Sequence, residues 1–271
     1  METVDIHGLF GGRLKKDVKD VKKCDECGED YEVYDMYLDG EYKSTSNECF
    51  QCKQRKEDNE MVREVLKKRE ERKFIAYQTL SVEPFELQDE NFDTYEPKNE
   101  TQQAGLNLTK KFMNDELRQT TLFFQGDTGL GKTHLSYSVY KHYKDENKEP
   151  ALFIDLPSLL STIRGTYGGN SDFTQDKIMD LISKAGLFVL DDIGAEYVKP
   201  DANGYESWAA DILFQVVNSR QGKKNIFTTN FTSKHLTQKY GMMSKRIISR
   251  MMSNARIIKL DGQDHRLKGL D

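Results

Sequence analysis

Gly126-Asp127-Thr128-Gly129-Leu130-Gly131-Lys132-Thr133 follows the spacing G-x-x-x-x-G-K-T, and the chemistry that spacing serves is the capture of a polyphosphate. Glycines in such a loop let successive backbone N–H groups turn inward around phosphate oxygens, and a helix starting where the loop ends adds a partial positive charge. Lys132 would reach the β- and γ-phosphates of a bound nucleotide, Thr133 would place its hydroxyl on Mg2+, and His134 is the next candidate contact. Downstream, the apolar run Leu187 to Leu190 leads straight into Asp191-Asp192. A strand that delivers two carboxylates at its tip suits a Mg2+ held by Asp191 through its water shell and an attacking water oriented by Asp192. Asp is one methylene shorter than the Glu many such hydrolases use, so slow turnover is expected, with Glu196 as a substitute base. Asn230 ends the run Asn225 to Thr229, where a polar strand tip beside the loop can bond the γ-phosphate or the water. A turn asparagine would look the same.

Four cysteines form two C-x-x-C hooks, Cys24/Cys27 and Cys49/Cys52, with twenty-one residues between them. Each hook can pinch one side of a tetrahedral Zn2+, and Gly28 suits the bend after the first; Lys53 stands where a second glycine might be expected. Redox dithiols or plain buried cysteines are the alternatives, but thioredoxin-like C-x-x-C occurs once, not as a spaced pair. Four sulfur ligands would close the site, making it structural.

These groups need elements to hold them. The loop lies between the apolar strand Thr121–Gln125 and a helix-like stretch from His134 to Lys144, preceded by a helix from Ala104 to Arg118. Buried strands are expected at Ala151–Asp155, Leu187–Leu190 and Asn225–Thr229. Tyr31, Val33, Tyr34, Tyr37 and Tyr42 give the cysteine segment a β-rich pattern with a turn at Asp39-Gly40. So small a segment cannot bury enough surface alone, which a structural metal corrects. Residues 1–23 read as a short helix or arm. Gln54 to Tyr77 reads as a charged helix whose basic cluster, Lys67 to Lys73, is a solvated face or a nucleic-acid contact. Pro84 and Pro97 mark a linker in which Phe92 and Tyr95 either anchor the chain or border an adenine. Three segments follow: 1–56 zinc-binding, 57–100 helix and linker, 101–271 nucleotide-binding.

The chain has 271 residues, a net charge of −5 and 37% hydrophobic content. That is enough for one α/β domain plus something smaller, and it disfavours coating of nucleic acid by global charge. No apolar run approaches the roughly 18 residues a membrane span needs, and no signal-peptide core is visible. A cytoplasmic protein without membrane partners is expected.

Taken together, the phosphate loop, Leu190 to Glu196 (LDDIGAE), the TTNF strand tip, Ser249 to Met251 and the terminal L-D-G-x-x-x-R from Leu260 to Arg266 resemble the AAA+ helicase loaders of the DnaC/DnaI type, cousins of the IstB transposition ATPases. The likeness covers about Phe92 to Arg266; the cysteine segment is similar in kind to the zinc-bearing N-terminal domain of DnaI, and the small size fits a phage-encoded loader. It implies a three-layer αβα domain on a parallel sheet with a rudimentary C-terminal lid, beside a zinc-ribbon-like unit. It also implies that Asn230 is sensor 1, that Arg250 is an arginine finger reaching a neighbouring subunit's ATP, and that Arg266 is sensor 2. Arg246, one turn before Arg250, would assist or be structural. Leu159 to Asp172 matches the extra helical insertion of the clade, implying single-stranded DNA contacts through Arg164 and Tyr167; a surface helix ending at Gly165 or Gly168 would look alike. The implied partners are a replicative hexameric helicase, single-stranded DNA and further copies of the chain.

Competing functions differ by visible features. A nucleotide kinase would need an acceptor pocket and an Arg-rich lid, and a GTPase an N-K-x-D motif; none is present. A transposition helper shares every ATPase motif. A nucleotide-binding adaptor with little turnover is compatible with Asp192.

Overall fold

The computed structural model describes residues 2–5, 13–146, 149–168, 173–197 and 208–264. The chain divides into two compact units, residues 1–71 and 72–271.

In the first unit, β1 (Glu2–Asp5), β2 (Arg13–Lys23), β3 (Asp30–Leu38) and β4 (Glu41–Ser46) form an antiparallel sheet in sequence order. Residues 13–23, expected in a short helix or arm, form a strand: Leu14, Val18 and Val21 fall at the i, i+4, i+7 spacing of a helix face, and it is pairing with the tyrosine-rich β3, through a register shift between Val18 and Asp20, that selects the extended form. Asp39 and Gly40 turn the chain between β3 and β4 with φ of 51° and 85°, as the Asp-Gly pair suggests. Next comes α1 (Phe50–Leu80).

The second unit takes in the end of α1, a 3-10 turn at Phe85–Leu87, and α2 (Glu100–Met113), capped by the Asn99 side chain on Gln102 N. The helix expected from 104 to 118 thus starts and stops earlier. After it come β5 (Thr121–Gln125), α3 (Lys132–Glu146), β6 (Ala151–Asp155), α4 (Leu156–Gly165), α5 (Gln175–Lys184), β7 (Leu187–Asp191), α6 (Trp208–Ser219), β8 (Lys224–Thr229), α7 (Ser233–Tyr240), α8 (Ser244–Met251) and β9 (Ala255–Lys259).

The five later strands lie parallel in the order β6-β7-β8-β5-β9. Their apolar runs are continuous because both faces are covered. Along β5, Phe123 enters one apolar cluster while Leu122 and Phe124 enter another; along β7, Phe188 and Leu190 part from Leu187 and Val189 in the same way. One cluster is built with α4 to α8 and with Tyr77 and Leu80 of α1, the other with α2 and α3. The sheet is thus the middle of three layers. Strand β9, which no sequence signal announced, extends the sheet beyond β5 and brings Leu260 N to Gln125 O at 2.9 Å.

Candidate nucleotide site and metal centre

The ends of β5, β7 and β8 meet around the phosphate loop. A pocket of about 220 Å3 there is lined by Leu87, the run Thr128 to His134, Asp192 and Asn230. Gly129 and Gly131 take φ of 73° and 85°, the left-handed region an L side chain rarely adopts. Space is also short: a Cβ on Gly131 would lie 2.5 Å from Tyr95 Cε2, and one on Gly129 would collide with the Asp264 carboxylate. Lys132 is buried and its ammonium donates to Asp127 O at 2.6 Å.

Thr133 Oγ1 donates to Asp191 Oδ2 at 2.9 Å, so the hydroxyl and carboxylate assigned to Mg2+ from the sequence already face one another. Thr228 Oγ1 donates to Asp191 Oδ1 at 2.5 Å and accepts the Asp192 backbone N–H at 3.0 Å. Burial, and next the charge of Asp192, push the Asp191 carboxyl up to about 6, against the pull of the Thr228 and Thr133 hydroxyls and the Lys132 ammonium. A cation of charge two would reverse that shift, which is why this oxygen set fits Mg2+. Asp192 itself has φ 51°, a conformation Asp tolerates better than most residues and one concentrated at functional sites. Its Oδ1 accepts from Asn230 Nδ2 at a long 3.4 Å.

Other candidates are placed elsewhere. Glu196 is buried; its Oε2 accepts Gly194 N at 3.0 Å, its backbone oxygen accepts from Lys239 Nζ, and Oε1 lies 3.7 Å from that ammonium. It does not line the pocket. His134 lines it, but Nε2 also bonds Asn91 O at 2.7 Å and the ring meets Tyr95 edge-on. Tyr95 is buried against the loop and Phe92 is half-buried on the same cluster, so both anchor the linker. What reaches the pocket from the linker is Leu87, a residue with no sequence signal beyond its place between two prolines. Thr228 was missed as well; its contact with Asp191 depends on β7 lying beside β8.

Arg250 is exposed and, among the described residues, its guanidinium has no partner; Arg246 lies over the Phe214 ring at 5.0 Å. Arg164 lies 4.9 Å from the Trp208 ring centre, and Trp208 Nε1 donates to Tyr167 OH at 3.0 Å. Both candidate DNA contacts therefore share Trp208. Arg266 falls outside the described residues, as do Gly169 to Asp172 of the insertion; Leu260 to Asp264, just before Arg266, is tied to α2 by Asn99 Nδ2 to Asp261 O at 2.8 Å and Thr101 Oγ1 to Asp261 Oδ1 at 2.7 Å.

In the first unit the sulfurs of Cys24, Cys27, Cys49 and Cys52 all lie within 4.8 Å of one another, with Cys24–Cys52 and Cys27–Cys49 at 3.6 Å. A tetrahedron with Zn–S bonds of about 2.3 Å has S···S edges of roughly 3.8 Å, close to the 3.6 Å of these two pairs, so the four sulfurs could hold Zn2+. Gly28 N donates to Cys24 O and Lys53 N to Cys49 O, one tight turn behind each hook. Backbone N–H groups of Cys27 and Glu26 lower the Cys24 thiol to about 7, as a metal-binding thiolate requires, while burial raises Cys52 to about 12. No helix among the described residues is long and apolar enough to cross a membrane.

A family model described as IstB-like ATP binding protein matches residues 44–270. The replicative helicase loader DnaC of Buchnera aphidicola subsp. Acyrthosiphon pisum (strain APS) is 26% identical over 162 residues, 59% of this chain and 62% of the relative. The chain thus spans less than two thirds of that relative's length. An insertion-sequence ATP-binding protein of Bacillus thuringiensis subsp. berliner is 24% identical over 189 residues, 68% of this chain and 70% of the relative. Among solved structures, the crystal structure of the DnaC helicase loader superposes with a TM-score of 0.55 at 22% identity, covering 66% of this chain and 100% of that one. The shared fold is of the AAA+ type.

Proposed function

The chain belongs to the IstB-like ATP-binding protein family, and on that premise we propose that it is an ATP-gated loader that delivers a replicative hexameric DNA helicase to single-stranded DNA. The observation that carries this reading is the meeting of Lys132, Thr133, Asp191, Asp192 and Asn230 at one set of strand tips. The similarity to a relative named as a helicase loader supplies the biological direction.

ATP phosphates enter the loop, and the Lys132 ammonium, now on the Asp127 carbonyl, turns to them. Thr133 and Asp191 would hold Mg2+, which neutralises charge between the phosphates when bound. Asp192 orients the water and Asn230 holds Asp192 or the γ-phosphate. Arg250, exposed on α8, is free to reach the ATP of a second copy and stabilise transition-state charge, so self-association and turnover depend on each other. Arg266 would approach the same phosphates from its own chain. Arg164 and Tyr167 would take single-stranded DNA by phosphate pairing and base stacking. Cys24, Cys27, Cys49 and Cys52 would hold a Zn2+, which when bound would keep the first unit folded for contact with the helicase.

The test is an affinity pull-down from the native host with ATP and with ADP. A replicative helicase captured in a nucleotide-dependent manner is expected, and a transposase in its place would establish the second reading, a transposition helper. That second reading is favoured by the family model and by the insertion-sequence relative. Removing residues 1–75 should eliminate helicase capture and spare ATP binding. Mixing Arg250→Ala protein with Asp192→Ala protein should recover part of the turnover each lacks; no recovery at any ratio removes the arginine finger. A nucleotide-bound adaptor with negligible turnover is the outcome if ATP binds and no phosphate is released.

A further inference from the structure

An open groove in the first unit touches the metal centre only at Cys49 and takes no part in the nucleotide chemistry. It has a volume of about 1030 Å3 and lies between one face of the sheet and the opening turns of α1. Strand register sets Lys16, Met36 and Ser44 side by side, with Tyr34 beside Ser46, so three strands make its floor. Tyr31, Tyr34, Met36 and Phe50 supply apolar surface, and Phe50 is 71% exposed. An aromatic ring left this open on a helix turn is the kind of anchor that buried interfaces use. Tyr31 also packs against the cysteine cluster and Phe50 follows Cys49, so the floor is braced by the metal centre.

The charge around this floor is one-sided. Two lysines and five carboxylates line the groove, a net of −3. Lys16 pairs with Glu32 at 2.5 Å and lies over Tyr34 at 4.2 Å, and Lys53 pairs with Glu48 at 3.6 Å. Glu29, Asp30 and Glu57 are left without an ion pair among the described residues. A polyphosphate backbone would meet repulsion here, because nucleic-acid affinity comes from Lys and Arg on phosphates. A polypeptide with apolar side chains on one side and basic heads on the other would meet complementary charge over an aromatic floor.

We propose that this groove binds a basic amphipathic segment of a partner protein, its apolar side chains on Tyr31, Tyr34 and Phe50 and its Lys or Arg heads on Glu29, Asp30 and Glu57. This deepens, and rests on, the reading of the first unit as the partner-facing half of the chain.

The test uses the full zinc-loaded chain and fluorescence anisotropy. Three separately labelled probes are titrated one at a time: a peptide of about 16 residues, long enough for four helical turns, with leucine and lysine at helical spacing, its leucine–glutamate counterpart, and an oligothymidine of similar length. The basic peptide should bind, and the other two should not. Phe50→Ser, and separately the triple change Glu29→Lys, Asp30→Lys, Glu57→Lys, should each weaken binding about tenfold or more. Zinc content and nucleotide affinity should stay unchanged. An equal reversal in the other unit, Glu116→Lys, Asp176→Lys, Asp211→Lys, should not weaken it. Failure of the basic peptide to bind, binding to both groove variants as tight as to the unaltered chain, or oligothymidine bound more tightly than the peptide and lost in the groove variants overturns the groove. Carrying the variants through the helicase pull-down separates the two readings. Helicase captured undiminished by both groove variants removes the groove alone, whereas no helicase captured by the unaltered chain removes the loader while peptide binding still decides the groove.

Discussion

Thr228 Oγ1 lies 2.5 Å from Asp191 Oδ1 and donates its proton there, while the same oxygen accepts the Asp192 backbone N–H at 3.0 Å. One hydroxyl from β8 thereby fixes both the carboxylate at the tip of β7 and the left-handed backbone of the residue after it. Thr228 is fully buried, so its loss would leave polar groups unpaired, at about 1–3 kcal/mol. Thr228→Val should therefore lower the melting temperature by several degrees and weaken nucleotide binding about tenfold in Mg2+, with less change in EDTA, while Thr228→Ser retains both. Equal losses with and without Mg2+ would make the contact structural only.

Gly131 meets two constraints at once, a φ of 85° and the Tyr95 ring 2.5 Å from where a Cβ would sit. Gly131→Ala should destabilise the chain by about 1–3 kcal/mol and abolish measurable ATP affinity. Adding Tyr95→Ala relieves the collision but leaves the backbone strain, so the double variant should regain stability in part and binding not at all. Calorimetry and titration with a fluorescent nucleotide separate the two effects.

Asp191 gives two pH trends of opposite sign. Its carboxyl sits at about 6, above the ordinary 3.8, because burial and Asp192 disfavour the charge. In metal-free protein the protonated form is the favoured one, so the stability this group contributes is complete below about pH 4 and lost as pH rises through about 6. Mg2+ needs the ionised form, so the Mg2+-dependent part of nucleotide affinity should fall roughly tenfold per unit below about pH 6. Asp191→Asn should flatten both curves. An affinity unchanged between about pH 7.5 and about pH 5 would contradict the assignment of Asp191 to the metal.

Zinc removal should act on one unit. The four sulfurs hold a small sheet with little apolar interior, so a strong chelator, or Cys52→Ser, should unfold that unit and release one Zn2+ per chain. Circular dichroism would lose strand signal while ATP affinity persists. Protein purified without chelator that contains no zinc would overturn the metal centre.

Much of this chain could be read without coordinates, because the informative patterns are local. The loop from Gly126 to Thr133, the apolar strands at 121–125, 151–155 and 187–191 and the two cysteine hooks each declare themselves within a dozen residues, where backbone sterics, hydrophobic period and ligand spacing operate. In residues 13–23 the Lys and Asp residues are compatible with either an exposed helix or a strand, and only pairing with β3 decides between them. Leu87 at the pocket, Thr228 on Asp191, Glu196 buried beside Lys239 and the groove over Tyr34 all join residues distant in the chain. The amino-acid order determined which groups were available for phosphate and metal. Which of them meet was settled by the strand order β6-β7-β8-β5-β9 and the register of β2 to β4, since non-local pairing is a property of the whole packed core and not of any stretch within it.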